Sequence, residues 1–260
     1  MFDRQMRITF FGTGTSQGVP VIGCHCPVCS SADPRDQRLR TSALIEAMGQ
    51  KILIDAGPDF RYQMLRSRTD HLDAILLTHN HKDHTGGLDD VRAINFLEKR
   101  SFPIYCEEYV QESLKMEYAY AFDTDKIYPG SPRFLLQTIR PYEDFFVGGV
   151  KVTPIRAYHA KLPVLGFRIG TIGYLTDANS IPEEEFEKLR GLDVFVINCV
   201  TYNPHPSHFG LHEALSVIER VGAKTSYITH ISHSLAPYLQ FAASLPAGVY
   251  PAYDTLNVEV

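Results

Sequence analysis

Short apolar runs alternate with amphipathic stretches along almost the whole chain, and the two periods separate cleanly. Residues 7–11, 43–48, 51–55 and 74–78 read as strands, with Gly49-Gln50 as a hairpin turn between the second and third. Residues 150–154, 166–169 and 173–176 carry β-branched or aromatic alternation, and residues 133–139 fit that pattern less well. Residues 193–199 and 225–229 are apolar enough to be strands buried on both faces. Between them, residues 91–97, 107–120, 182–190 and 211–221 have helical spacing. Ser180, Pro182 and a run of glutamates make a helix start with acidic groups at the positive end of the dipole. Hairpins together with βα units predict an α/β protein whose mixed sheets carry helices on their outer faces. Periodicity alone does not decide between one sheet and two.

Composition narrows the class. With 44% apolar residues in 260, the chain has enough apolar surface to offset its conformational entropy. No Ser/Gly linker, repeat or low-complexity tract divides it, so a single domain over residues 1–260 is expected. No stretch approaches the length of a membrane span, and residues 1–11 lack the apolar core of a signal peptide. Lys plus Arg number 25 against 30 Asp plus Glu, a net charge of −5 that argues against nucleic acid as a partner. There are five cysteines, three of them packed together as Cys24, Cys26 and Cys29, unlike a dispersed disulfide framework. A reducing cytoplasm is the expected compartment.

The chemistry-bearing residues lie elsewhere. The segment Thr78-His79-Asn80-His81-Lys82-Asp83-His84 follows an apolar strand and runs into Gly86-Gly87. Imidazoles and a carboxylate so close together suit Zn²⁺, Mn²⁺ or Fe²⁺, and one such loop can begin two metal sites. A solvated polar loop is the alternative. Three later apolar runs end likewise in a ligand-type residue: His159, Asp177 and His230. Strand ends gathered on one edge form the usual active-site rim of α/β proteins.

His79-x-His81-x-Asp83-His84, followed by His159, Asp177 and His230, resembles the metal-binding signature of the metallo-β-lactamase superfamily, and Ile54-Asp55-Ala56-Gly57 resembles the strand motif preceding it. The resemblance implies a four-layer αββα sandwich of two mixed β-sheets flanked by helices. It implies one metal held by His79, His81 and His159, a second by Asp83, His84 and His230, and Asp177 bridging both. Asp55 then either accepts a hydrogen bond from a ligand histidine or caps the turn at Gly57.

Cys24-x-Cys26-x-x-Cys29 lies in a Gly- and Pro-punctuated loop at about residues 23–30. Three thiolates at this spacing can reach one Zn²⁺, with His25 or a distant histidine as the fourth ligand. Gly12-Thr13-Gly14, Gln17-Gly18-Val19-Pro20, the cysteine triad and Thr229-His230-Ile231-Ser232-His233 are similar to the PhnP-type phosphodiesterase subfamily. That resemblance implies a structural zinc on Cys24, Cys26, Cys29 and His233, and a small or cyclic phosphodiester as substrate.

Two divalent ions, Mn²⁺ or Zn²⁺ or else Fe²⁺, would activate a water and draw in a phosphate oxygen. Ser207-His208-Phe209-Gly210-Leu211-His212 resembles the stretch where such relatives carry a catalytic histidine; His208 is the expected general acid and His212 its competitor. Arg35, Arg38 and Arg40 could meet a phosphate or simply face solvent. The alternatives are a tRNA 3′-end-type nuclease, a lactonase or thioesterase on the same metal core, and a zinc-binding module with little activity. Dimerisation of relatives makes a homodimer an expectation too.

Overall fold

A computed structural model describes residues 6–122 and 128–260; part of the leader reading, residues 1–5, lies outside them. The strands are β1 (Arg7–Gly12), β2 (Ser42–Ala47), β3 (Gln50–Ile54), β4 (Ala74–Leu76), β5 (Phe102–Cys106), β6 (Phe134–Thr138), β7 (Phe145–Val147), β8 (Val150–His159), β9 (Leu162–Ile169), β10 (Ile172–Leu175), β11 (Val194–Asn198), β12 (Thr225–Thr229), β13 (Val249–Pro251) and β14 (Asn257–Glu259). They form two seven-stranded sheets, ordered β14-β1-β2-β3-β4-β5-β6 and β13-β12-β11-β10-β9-β8-β7. Each sheet is mixed. In the first, β14, β1, β2 and β3 pair antiparallel and β3 to β6 run parallel. In the second, β7 to β10 pair antiparallel and β10 to β13 parallel.

Strand alternation builds the layers. Ile52 and Ile54 of β3 face the second sheet with Phe10, Leu76, Val152, Phe167, Tyr174 and Val196, making the inter-sheet core. Leu53, between them, points the other way with Leu44, Ile75 and Ile104, onto α1 (Phe60–Ser67), α3 (Arg92–Glu98) and α4 (Glu108–Glu117). The second sheet buries Leu175, Phe195, Ile197 and Ile228 under α6 (Leu211–Val221) and α7 (Tyr238–Ser244). Short helices α2 (Lys82–Thr85) and α5 (Ala119–Phe122) complete the chain. Apolar area removed from water on both faces of both sheets drives this αββα arrangement. It also explains why β11 is buried at every position.

Two local expectations change. The hairpin turn is Met48-Gly49, since Ala47 pairs with Gln50; both turn residues have positive φ (50° and 79°), as a two-residue type I′ turn requires. Residues 183–189 coil as a 3-10 helix, because the buried Glu185 carboxylate turns inward to accept the Arg156 N–H at 2.8 Å. The apolar run expected to end at His159 does so within one strand, β8, which carries that histidine to the end of the sheet.

Candidate metal centre

The functional side chains sit where strands end. Asp55 follows β3, His79 follows β4 and opens the turn into α2, His159 ends β8, Asp177 follows β10 and His230 follows β12. Backbone conformation reflects the sharp exit. Asp55, Asp177 and His230 adopt positive φ (62°, 56° and 53°), a region non-glycine residues hold only when their surroundings enforce it. The enforcement is visible. Asp55 N–H donates to Leu76 O and Ser42 Oγ donates to Asp55 O. The Asn198 amide closes a two-way clamp on Ala178, and Ile231 N–H donates to Thr13 O.

A chain of hydrogen bonds then fixes the imidazoles. The fully buried Asp55 carboxylate accepts Thr78 N–H (2.9 Å), the Thr78 hydroxyl (2.9 Å) and His84 Nδ1–H (2.7 Å). With its proton spent on Asp55, Thr78 Oγ1 is left to accept from His79 Nδ1 at 2.9 Å. His159 Nδ1 donates to Ser207 O at 2.7 Å. In all three rings Nδ1 is the atom engaged in the supporting bond, so Nε2 is left to face the site.

Those Nε2 atoms converge. His84 Nε2 lies 3.3 Å from Asp83 Oδ2 and 3.2 Å from Asp177 Oδ2, while His230 Nε2 lies 3.0 Å from Asp177 Oδ1. Asp83, His84, Asp177 and His230 thus form one cluster of potential ligand atoms, and His159, Asp177 and His208 a second. His79 and His81 complete the second side ring to ring, 4.6 Å apart and 5.8 and 5.1 Å from His159. Nε2 of His79, His84 and His230 is buried yet makes no hydrogen bond. The short distances to carboxylates therefore reflect convergence on common points rather than hydrogen bonding. Buried polar atoms aimed at one place without partners are what a cation site requires.

The electrostatics agree. Burial works against protonating His84, but Asp177, Asp55 and Asp83 around it drive its pKa well above the ordinary histidine value. His230 is pushed up to about 9 by Asp177 and Asp83 against the same burial. Burial would raise Asp177 and Asp83, yet their imidazole neighbours hold both below the usual carboxylate range. Carboxylates here keep their charge and attract positive charge, and divalent ions would meet that demand.

Beside this centre, His208 packs against His159 at 4.5 Å and His230 at 5.0 Å. Burial foremost, with the neighbouring imidazoles, lowers it to about 3. His212 is exposed on α6 and belongs to neither ligand cluster. A cavity of about 490 Å³ opens from His208 and His230 toward Thr15, Gln17, Asn203 and Ser232, with no lysine or arginine in its lining among the described residues.

The cysteine loop forms a separate cluster. Cys24, Cys26 and Cys29 Sγ lie 3.2, 3.6 and 3.5 Å from His233 Nδ1. Tetrahedral zinc with ordinary bond lengths separates sulfur from nitrogen by about 3.6 Å. The donor set fits that ion. His25, the other candidate for fourth ligand, is exposed and outside the cluster. None of the three arginines faces the centre. Arg35 pairs with Asp33, Arg40 with Asp59, and the buried Arg38 donates to Ala252 O and Thr13.

Thr78, Thr176, Asn198 and the Ser207 carbonyl escaped sequence reasoning. One signal was present: a threonine directly precedes the ligand-type residue at three strand ends (Thr78, Thr176, Thr229), each buried. Thr176 Oγ1 donates to Asp177 at 2.8 Å, as Thr78 does to Asp55.

Comparison with known proteins agrees with this architecture. An octanoyltransferase of Porphyromonas gingivalis is 42% identical over 254 residues, 97% of this chain, and the chain spans about half (51%) of that curated relative's length. The crystal structure of a diphosphatase from the PhnP family superposes with a TM-score of 0.92 at 39% identity, covering 98% of this chain and 97% of that one. Zn²⁺-bound PqqB from Methylobacterium extorquens shares the fold, with a TM-score of 0.77 at 21% identity over 98% and 100% of the two chains. No helix among the described residues is long and apolar enough to cross a membrane. The β-lactamase superfamily domain matches residues 50–231, a span holding every strand-end residue of the centre, and the chain belongs to that superfamily.

Proposed function

We propose that the protein is a metal-dependent phosphodiesterase acting on a small or cyclic phosphodiester. One observation carries the reading: imidazole and carboxylate donors from four strand ends converge, and Nε2 of His79, His84 and His230 is buried and unpartnered there. His79, His81 and His159 would hold one ion, Asp83, His84 and His230 another, with Asp177 between them. Its Oδ2 lies between the two sets, 3.9 Å from His79 Nε2 and 3.2 Å from His84 Nε2, while Oδ1 faces His230 at 3.0 Å. Bound ions of this kind supply an activated water and neutralise charge on a phosphoryl group. Likeness to a PhnP-family diphosphatase supports phosphorus rather than carbon as the reacting centre.

The protein's own groups do the rest. Asp55 holds the His84 ring directly and the His79 ring through Thr78. Ser207 O holds His159. His208, with Nδ1 buried and unpartnered beside the cluster, is placed to deliver a proton to a departing alkoxide once the negative charge of a bound phosphodiester offsets the burial and imidazole neighbours that depress its pKa. The cavity beyond it offers hydroxyl and amide groups to a polar leaving group of modest size. A structural zinc on Cys24, Cys26, Cys29 and His233 would tie the N-terminal loop to the loop bearing His230.

The relative named octanoyltransferase makes acyl transfer or hydrolysis the second reading. The polar cavity speaks against an alkyl chain, and half of that relative lies outside the matched region. The net charge of −5 speaks against a tRNA body as substrate. A panel of bis-p-nitrophenyl phosphate, a 2′,3′-cyclic nucleotide, a pre-tRNA and an octanoyl thioester tests the assignment, before and after chelation and with Mn²⁺ or Zn²⁺ restored. Metal-dependent turnover of the two small diesters is expected. His208→Ala should keep its metal and lose on the order of 10²-fold or more with the cyclic nucleotide, whose leaving group needs a proton. Turnover of the thioester alone, or full cyclic-nucleotide activity in His208→Ala, would overturn the reading.

A further inference from the structure

The loop that carries His208 is held in an unusual way. Its ends are joined, with Val200 N–H donating to Phe209 O and Leu211 N–H to Thr201 O. Between them residues 202–206 are exposed, and beyond Tyr202, whose ring meets Phe241 at 6.2 Å and whose hydroxyl accepts Ala236 N–H at 3.1 Å, apolar packing does little to fix residues 203–206. Polar anchors must do so instead.

Those anchors are few and converge on His208. The carbonyls of Pro206 and Ser207, immediately before it, are each gripped by a side chain from a different strand end. Asn179 Nδ2 donates to Pro206 O at 2.9 Å, and His159 Nδ1 donates to Ser207 O at 2.7 Å. Immediately after His208, Phe209 N–H donates to Ala178 O at 2.8 Å. Asn179 also reaches the β8 end, its Oδ1 accepting Ala160 N–H at 3.0 Å where Ala160 holds φ 54°. One amide therefore ties the exit of β8, the exit of β10 and the His208 loop together.

We infer that Asn179 is a positioning residue for proton delivery by His208, acting through the Pro206 carbonyl. The inference rests on the phosphodiesterase reading and on His208 as the proton donor. Asn179 itself touches neither reacting atoms nor the ligand cluster. Without its Nδ2 donor, the approach to His208 keeps one side-chain anchor, the His159 bond. A small displacement of a proton donor costs rate out of proportion to its size.

A proton donor matters for a poor leaving group and hardly at all for p-nitrophenolate, so the ratio of kcat for a 2′,3′-cyclic nucleotide to kcat for bis-p-nitrophenyl phosphate reports on positioning. A general loosening of the fold would lower both. Asn179→Asp keeps the acceptor for Ala160 N–H and turns the Pro206 contact into oxygen against oxygen; Asn179→Ala removes both bonds. Each should lower the ratio on the order of 10-fold or more, with KM, metal stoichiometry and Tm near wild type. Combined with His208→Ala, either should add little to the loss from His208→Ala alone. An unchanged ratio in Asn179→Asp and Asn179→Ala, or full multiplicative loss in the double variants, would overturn the inference while leaving His208 in place. A His208→Ala protein with a wild-type ratio would instead remove the reading beneath it.

Discussion

Replacing Asp55 with Asn isolates the hydrogen bonds that hold the histidines. The substitution keeps side-chain shape, and Asn tolerates the left-handed backbone (φ 62°) that Asp55 already adopts, so no conformational strain is added. What changes is the donor count. The carboxylate takes three donors on two oxygens: Thr78 N–H, the Thr78 hydroxyl and His84 Nδ1–H. Asn offers one oxygen and one NH₂. If that oxygen keeps Thr78 N–H, the NH₂ meets His84 Nδ1–H head on, and the Thr78 hydroxyl must turn away from its acceptor. Losing a charge-assisted bond and stranding a buried donor together cost about 3 kcal/mol. For a protein of this size that lowers Tm by roughly 6–12 °C. Calorimetry of the chelated protein reads this loss without any contribution from ions. Metal titration reads the second consequence: His84 and His79 lose their fixed ring orientation, and affinity should fall about 10–100-fold. A chelated Asp55→Asn protein melting within about 2 °C of wild type, with unchanged metal affinity, would refute the claim that this carboxylate orients the centre.

Two further outcomes follow from the same geometry. Cys26→Ala should lose one equivalent of zinc per chain and melt several degrees lower, because His233 and two thiols make an incomplete tetrahedral set; unchanged zinc stoichiometry by elemental analysis would count against a zinc site there. Gly57→Ala should destabilise by about 1–3 kcal/mol or more and weaken metal binding, because a β-carbon there collides with the Asp83 carbonyl; denaturant unfolding and metal titration that match wild type would show that the α2 turn moves aside freely.

Much of this centre was readable in the chain because its donors are concentrated. His79, His81, Asp83 and His84 fall within six positions, and their chemistry is readable whatever fold surrounds them. His159, Asp177 and His230 were legible at lower contrast, each as a polar residue closing an apolar run. The supporting groups were not. Thr78 and Thr176 read as ordinary strand ends, and the Ser207 carbonyl has no sequence signature at all. Asn179 acts by linking Ala160 to Pro206, a pairing that only tertiary structure creates. The short strands β5, β7, β13 and β14 were missed for a related reason. Strands β7, β13 and β14 have three residues each, too few for periodicity to declare itself, and β5, β13 and β14 are formed by pairing with neighbours distant in sequence.

The fold and the centre impose one common requirement. Parallel and antiparallel pairing in the two sheets brings the ends of β3, β4, β8, β10 and β12 to one edge, but a strand delivers its backbone there, not a ligand atom in a chosen direction. Direction comes from left-handed exits at Asp55, Asp177 and His230 and from donors spent on fixing Nδ1. Both are unfavourable locally: strained φ values and buried polar atoms left without partners. The two-layer apolar core supplies the stability that offsets them, and it lies directly beneath, with Ile54, Leu76 and Tyr174 one to three residues from Asp55, His79 and Asp177. Substitutions that thin this core, such as Leu76→Ala, should therefore disturb metal affinity as well as stability, since the same strands carry both.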